Sequence, residues 1–413
     1  MIRSQFKYLV LLTLLYAPWH DAYTLGQRGH ISLFGHSIVI ASLVNLFFVV
    51  SYIFFLIPQI AKKNKKLVAF LFFITLQGMF SLSDKGVVFG NPMTSIHFVL
   101  VSLGLMSLWS FETILLFPTK VYLLGLLASY SLSLVLPALI SIPGYDPTVY
   151  LTPIYRYRGW TGEGQPVAWM GLQLLILGTV CSVVFIHDKK IRLWSLIASS
   201  IGIVGIYLNV LRTSAFLGIA FLLGTFVWMR AEHVRTKYLW IRACANIVAI
   251  VVILSTGQFL LKSKRNCYDG TVFQTSLTKI TEVKKVEDIE KVIVTNGRAR
   301  TLRLLFEAQK VNWLFGNGSG WTQAYLKNKE AGVLEPNNDY VRILFDWGIL
   351  GLGFFLYLFF LSFYKSQASM RVVLFIFSLA LLTDAILIIP TFGYLMFFAQ
   401  LWILKYEIKK VQI

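Results

Sequence analysis

Four arginines and one run of amides carry most of the polar chemistry in a chain that is otherwise largely apolar. Arg212 sits alone between two apolar runs, 193–211 and 213–229. A guanidinium there needs an anion or water, because leaving it unpaired in hydrocarbon costs about 3 kcal/mol or more. Its fork of donors suits a phosphate bidentately, which a lysine does not match. The competing reading is an interfacial arginine whose stem snorkels to the headgroups. Arg298, Arg300 and Arg303 follow the Asn296-Gly297 turn at the expected start of a helix. Cations at that end oppose the macrodipole, so their placement asks for a nearby anion; a solvated basic face is the plainer alternative. The run Pro336-Asn337-Asn338-Asp339-Tyr340 is suited to begin a helix, since Asn and Asp accept hydrogen bonds from free amides. Capping uses one of these polar side chains and leaves the others for a substrate. Asp339 is the nearest candidate general base and Glu335 the second.

Other polar positions have weaker claims. Gly316-Asn317-Gly318-Ser319-Gly320-Trp321 looks like a phosphate cradle, but no Lys-Ser/Thr follows and no strand-helix unit surrounds it. It reads as a turn that lets backbone approach a ligand or another helix. The segment 141–165 combines Tyr150, Tyr155, Tyr157 and Trp160 with Arg156 and Arg158, which suits the amphipathic faces of sugars and also the headgroup level of any membrane protein. Asp384 is a lone acid in an apolar run, read as a helix-to-helix hydrogen bond or a proton relay. Gly348, Gly351 and Gly353 read as close-packing positions. Cys181, Cys244 and Cys267 form no disulfide framework and no metal-ligand pattern.

The elements that must position these residues follow from composition. Hydrophobic residues make up 57% of the 413 and charged residues 14%, which is the balance of an integral membrane protein. About twelve runs approach the length of a spanning helix, at 6–18, 37–57, 67–83, 95–111, 119–140, 166–186, 193–211, 213–229, 243–261, 341–364, 372–389 and 391–404. Counting every span puts the lysines at 62–66, Lys189, Lys190 and Arg192, the cluster Arg230 to Arg242, and the terminal lysines on one side. By the positive-inside rule that side is cytoplasmic, as are both termini. The formal charge of +19 is then topological and indicates no nucleic acid. The terminal lysines suit anionic membrane lipid. The expected architecture is an all-α polytopic transmembrane bundle: residues 1–261 with about nine spans, a large outer loop at 262–340, and 341–413 with the last spans and a cytoplasmic tail. The loop carries an expected amphipathic helix over about 275–294 and a second over about 299–312.

With these motifs in place the chain resembles the O-antigen ligase and O-antigen polymerase (Wzy-type) superfamily. Asn338 is followed by nine residues and then Gly348-Ile349-Leu350-Gly351, a spacing similar to the ligase branch's pattern of His, then Asn, Ser or Gln, nine residues and Gly-x-x-Gly. Arg212-Thr213-Ser214 resembles its outer-face arginine after a span, Gly297-Arg298 its second arginine, and Arg158-Gly159 with Pro166 a weaker pattern before a middle span. Asn337 stands where the ligase branch has its basic histidine. An amide cannot act as that base, and Asn-Asp-Tyr here favours the polymerase branch.

The resemblance implies a glycosyltransferase without cofactor or metal in the bacterial inner membrane. It would join undecaprenyl-pyrophosphate-linked oligosaccharide repeat units at the periplasmic face, with a chain-length regulator as a further partner. On this reading Arg212 and Arg298 hold the pyrophosphate, with Arg300 or Arg303 in reserve, Asn337 and Asn338 position a sugar, and Arg158, Glu335 and Tyr340 contact substrate. The alternatives are a ligase that moves glycan to lipid A core, and a transporter or flippase of lipid-linked oligosaccharide. A transporter expects charges at mid-membrane and paired halves, whereas this chain gathers its charges outside and has unequal halves.

Overall fold

The computed structural model describes residues 15, 30–33, 36–83, 86–110, 119–140, 148–151, 154–157, 164–185, 188–209, 212–231, 236–254, 298–329, 336 and 338–383. Among these the chain is helical apart from short hairpins. In order they are β1 (His30–Leu33), β2 (His36–Val39), α1 (Ile40–Met79), β3 (Phe80–Ser83), β4 (Gly86–Phe89), α2 (Pro92–Ser110), α3 (Thr119–Leu139), β5 (Thr148–Leu151), β6 (Ile154–Tyr157), α4 (Gly164–Val184), α5 (Lys189–Asn209), α6 (Arg212–Ala231), α7 (Thr236–Leu254), α8 (Arg298–Phe306), α9 (Trp321–Asn328), α10 (Asp339–Lys365) and α11 (Ala368–Thr383). Strands pair antiparallel as β1-β2, β3-β4 and β5-β6, with the registers Leu33↔His36, Ser83↔Gly86 and Leu151↔Ile154 next to the turns. The sequence reading expected no strands. Each has four residues, so the alternation that marks a strand is repeated too few times to be seen.

Lys189–Leu208, Thr213–Arg230 and Asp339–Lys365 are long and apolar enough to cross a bilayer, and Thr94–Met106, Leu123–Leu139, Val167–Val183, Tyr238–Leu254 and Ala368–Thr383 are shorter apolar helices. The expected runs 37–57 and 67–83 lie largely in one helix, α1, which is interrupted at Asn64 (φ −138°) among the lysines between them. The run 6–18 apart from Leu15, the run 391–404, the 275–294 helix, Cys267 and Asp384 lie outside the described residues.

Packing follows the rule for helices in lipid, where small residues allow close approach because no hydrophobic difference drives association. Along α4 and α5, a Cβ on Gly202 would lie 2.6 Å from the Gly171 carbonyl oxygen, and one on Gly178 2.6 Å from that of Ser195. Large apolar side chains such as Val204, Phe216, Val227 and Ile247 face outward. Side-chain hydrogen bonds add ties between helices: Asn246 on α7 donates to Thr225 Oγ1 (2.6 Å) and to the Leu222 carbonyl (3.0 Å) on α6, and Ser362 on α10 donates to the Leu105 carbonyl on α2 (2.8 Å). α1 runs antiparallel to α10, with Gly78 beside Trp347, Ile74 beside Gly351 and Phe70 against Phe354. α11 returns antiparallel to α10, so that Tyr340 reaches Ser378.

Candidate functional site at the start of a broken helix

α10 begins as the sequence suggests. Asn338 is its N-cap, in an extended conformation, and its side chain accepts a hydrogen bond from the Val341 amide at 3.1 Å. This use of the amide carbonyl leaves the Asn338 NH2 group available for a further contact. Asp339, expected as the nearest base, is fully buried. Tyr340 is half-buried; its hydroxyl lies 2.7 Å from Ser378 Oγ, and its ring meets Phe355 edge-on. It ties α10 to α11, a structural use of a residue expected to contact substrate.

The helix then breaks. Gly348 has φ 70° and ψ −172°, a conformation essentially reserved for glycine. An unbroken helix would pair the Ile349 amide with the Phe345 carbonyl and the Leu350 amide with that of Asp346. Instead the loop between α8 and α9 is spliced in. The Asn317 amide donates to the Phe345 carbonyl (2.9 Å) and the Gly318 amide to the Asp346 carbonyl (3.0 Å), while Ile349 and Leu350 donate to the carbonyls of Trp313 (2.8 Å) and Leu314 (3.2 Å). These four backbone groups freed by the break are satisfied by protein, which is the condition for irregular backbone at membrane depth.

Side chains lock the loop in place. The Asp346 carboxylate accepts from the Gly320 amide (2.9 Å), the Thr322 amide (2.9 Å) and Thr322 Oγ1 (2.7 Å), with Arg342 Nε at 3.9 Å. Asn317 donates to the Phe345 carbonyl and accepts from the Asn312 amide. Ser319 connects the loop to the other side of the bundle: its amide donates to the Gly78 carbonyl (2.7 Å), and its carbonyl accepts from the Asn91 amide (2.6 Å). The glycine loop is therefore a backbone splice between helices and does not form a phosphate cradle. Of the three α10 glycines, Gly351 leaves room for Trp347 of the same helix, whose Cβ would lie 2.3 Å from a Cβ there, while Ile74 of α1 is at ordinary contact distance (3.8 Å); Gly348 serves the break, and Gly353 faces open space.

Asp339, Arg342 and Asp346 recur at three- and four-residue intervals, so they share one face of α10, and all three are buried. The sequence reading did not single out Arg342 or Asp346. The signal was present: an acid and a base four apart in an apolar helix rarely face lipid.

The remaining sequence-selected residues divide into three groups. Arg212 is the first residue of α6 and Arg298 the first of α8, with Arg300 one half-turn on; the side chains of these three lie outside the described residues. Arg303 is exposed and pairs with Glu307 at 2.8 Å along the helix, the solvated basic face that was its plainer reading. Arg158, Glu335 and Asn337 lie outside the described residues. α8 and α9 rest on α10 through Leu305, Leu326 and Phe345, with Trp321 stacked on Phe345 (5.9 Å, 8°). α8 meets this cluster near its carboxyl end, at Leu305. Among the described residues no group of His, Cys, Asp and Glu could hold a metal ion. No known family model matches the chain, and no curated protein matches it.

Proposed function

We propose that this chain is a polytopic membrane glycosyltransferase, of about twelve spans with both termini cytoplasmic, that polymerises undecaprenyl-pyrophosphate-linked oligosaccharide repeat units at the periplasmic face of the bacterial inner membrane. The observation that carries the reading is that three residues selected for their chemistry each stand at a helix start: Arg212 on α6, Arg298 on α8 and Asn338 at the cap of α10. Helix starts present free amides and partial positive charge, and guanidiniums there favour a multiply charged anion. A pyrophosphate leaving group is such an anion.

In the reaction the bond from the anomeric carbon of the growing glycan to its pyrophosphate oxygen breaks. A glycosidic bond forms to a hydroxyl at the non-reducing end of the incoming unit, and undecaprenyl pyrophosphate departs with the bonding electrons. Arg212 and Arg298 stabilise that departing charge without proton transfer. The Asn338 NH2 group, with Asn337, positions a sugar. Because Asp339 is buried, the acceptor proton passes to Glu335 or to water, and Asp339 serves inside the protein with Arg342.

The test is purified protein in vesicles supplied with lipid-linked repeat units and no other acceptor. Lengthened chains with release of undecaprenyl pyrophosphate support the polymerase. Transfer only when lipid A core is added identifies a ligase. Movement of intact units across the vesicle membrane without lengthening identifies a transporter.

A further inference from the structure

The turn that leaves α8 and enters the splice carries apolar side chains outward. Trp313, Leu314 and Phe315 are consecutive and exposed, Leu314 at 50%, and Phe306 at the end of α8 is 54% exposed with its ring stacked on Trp313 (6.3 Å, 23°). Exposed apolar residues in succession are unfavourable in a loop surrounded by water. Glu307, Gln309 and Lys310, which separate Phe306 from Trp313 in sequence, are polar and exposed.

The splice fixes how deep this turn lies. The carbonyls of Trp313 and Leu314 accept from the amides of Ile349 and Leu350, and that of Phe315 accepts from the Gln77 side chain on α1. α10 is long and apolar enough to cross a bilayer, and its unbroken part from Ile349 to Lys365 rises about 24 Å, at about 1.5 Å per residue. With Lys365 at one edge of a hydrocarbon core about 30 Å thick, Ile349 stands about 6 Å inside the other edge, and tilt takes it deeper. α1 agrees: Gln77 is about 16 Å along the axis from Lys66, so with Lys66 at that first edge it too falls within the core.

At this depth the turn adjoins the outward stripes of two helices, Ile349, Phe360 and Tyr364 on α10 and Phe72 and Leu76 on α1, all exposed. Its backbone suits the place. Besides the three carbonyls, the amides of Phe315 and Gly316 donate to Asn312 Oδ1 (3.1 Å) and the Asn312 carbonyl (2.7 Å), and those of Asn317 and Gly318 to α10. These groups enter lipid already paired. Tryptophan, moreover, is favoured where hydrocarbon meets headgroups.

We propose that Phe306, Trp313, Leu314 and Phe315 form a membrane anchor: the turn between α8 and α9 dips into the leaflet on the Asn338 side, its partner is lipid acyl chain, and Glu307, Gln309 and Lys310 stand at headgroup level. The anchor continues the lipid-facing surface of α1 and α10. It rests on α10 crossing the bilayer and is independent of the glycosyltransferase reading.

The experiment uses the full chain in phosphatidylcholine vesicles doped with a lipid that carries a diazirine midway along one acyl chain. After irradiation, labelled peptides are identified by mass spectrometry. Label is expected on 313–315 and on the Phe360 stripe, and several-fold less on 307–310. Label at Phe360 without label at 313–315 would overturn the anchor; absence from both would overturn the crossing on which it rests. A spin label at Leu314→Cys, in a chain with Cys181, Cys244 and Cys267 replaced by Ala, gives a second reading, and because Leu314 is exposed the label displaces no packing. Its collisions with oxygen should exceed those with a water-soluble nickel chelate several-fold, the reverse of a label at Gln309→Cys. Equal access of the chelate to both positions would place the turn in water, and exclusion of both reagents from 314 would mean that another segment of the chain covers it; either result overturns the proposal.

Discussion

Gly316 and Gly348 face each other so closely that a Cβ on either would sit 2.5 Å from the other's amide nitrogen. Both have positive φ, at 78° and 70°. Gly348→Ala should therefore destabilise the protein by about 1–3 kcal/mol from backbone conformation alone, with steric overlap in addition. Thermal unfolding in detergent reads this directly, and a variant that melts like the parent would mean the two strands of backbone are not in contact.

Asp346 holds the loop through hydrogen bonds that only an acceptor can replace. Asp346→Leu strands the amides of Gly320 and Thr322 and leaves Arg342 without its neighbour, which should cost about 3–5 kcal/mol. Asp346→Asn keeps one acceptor and should cost less. Limited proteolysis between α8 and α9 distinguishes the two, since release of the loop exposes 313–320; equal resistance in both variants would refute the locking role.

If Arg212 and Arg298 receive a departing pyrophosphate, replacing either with Ala should slow chain lengthening by roughly 10²–10³, the usual loss for one donor to developing charge. Lysine should rescue only in part, because it lacks the planar fork. The comparison must be made at equal amounts of protein in the membrane. Normal glycan length in both alanine variants would remove these residues from the chemistry.

The α4-α5 seam gives a test independent of function. Gly202→Val places carbon against the Gly171 carbonyl and the Leu175 amide, an overpacking expected to cost about 1–3 kcal/mol. Gly353→Ala, at a position with open space beside it, should be neutral. Melting curves of the pair would show whether the seam is as tight as its geometry implies.

Much of the helical framework was legible because its signal is local. Apolar runs located α2 to α7, α10 and α11, and the lysines around Asn64 marked the interruption of α1. Asn338 was legible as part of a helix start because capping needs only the next few residues. The splice was not. Gly348 carries no mark that separates it from a packing glycine such as Gly351, and its partner Gly316 lies in a loop that reads as a simple turn. The sequence reading passed over the shared spacing of Asp339, Arg342 and Asp346, and their burial depends on α9 and the loop covering that face.

The interrupted helix also has a mechanical meaning. Four backbone hydrogen bonds join the loop to α10 across the break, and Ser319 extends the connection to Gly78 at the end of α1 and to Asn91 just before α2. Any push on the Asn338 tip is shared at once with α9 and with the far wall of the bundle. A lever stiffened in this way turns as one body, so the cap residue and the loop spliced into α10 keep their relative places while the lipid around them moves.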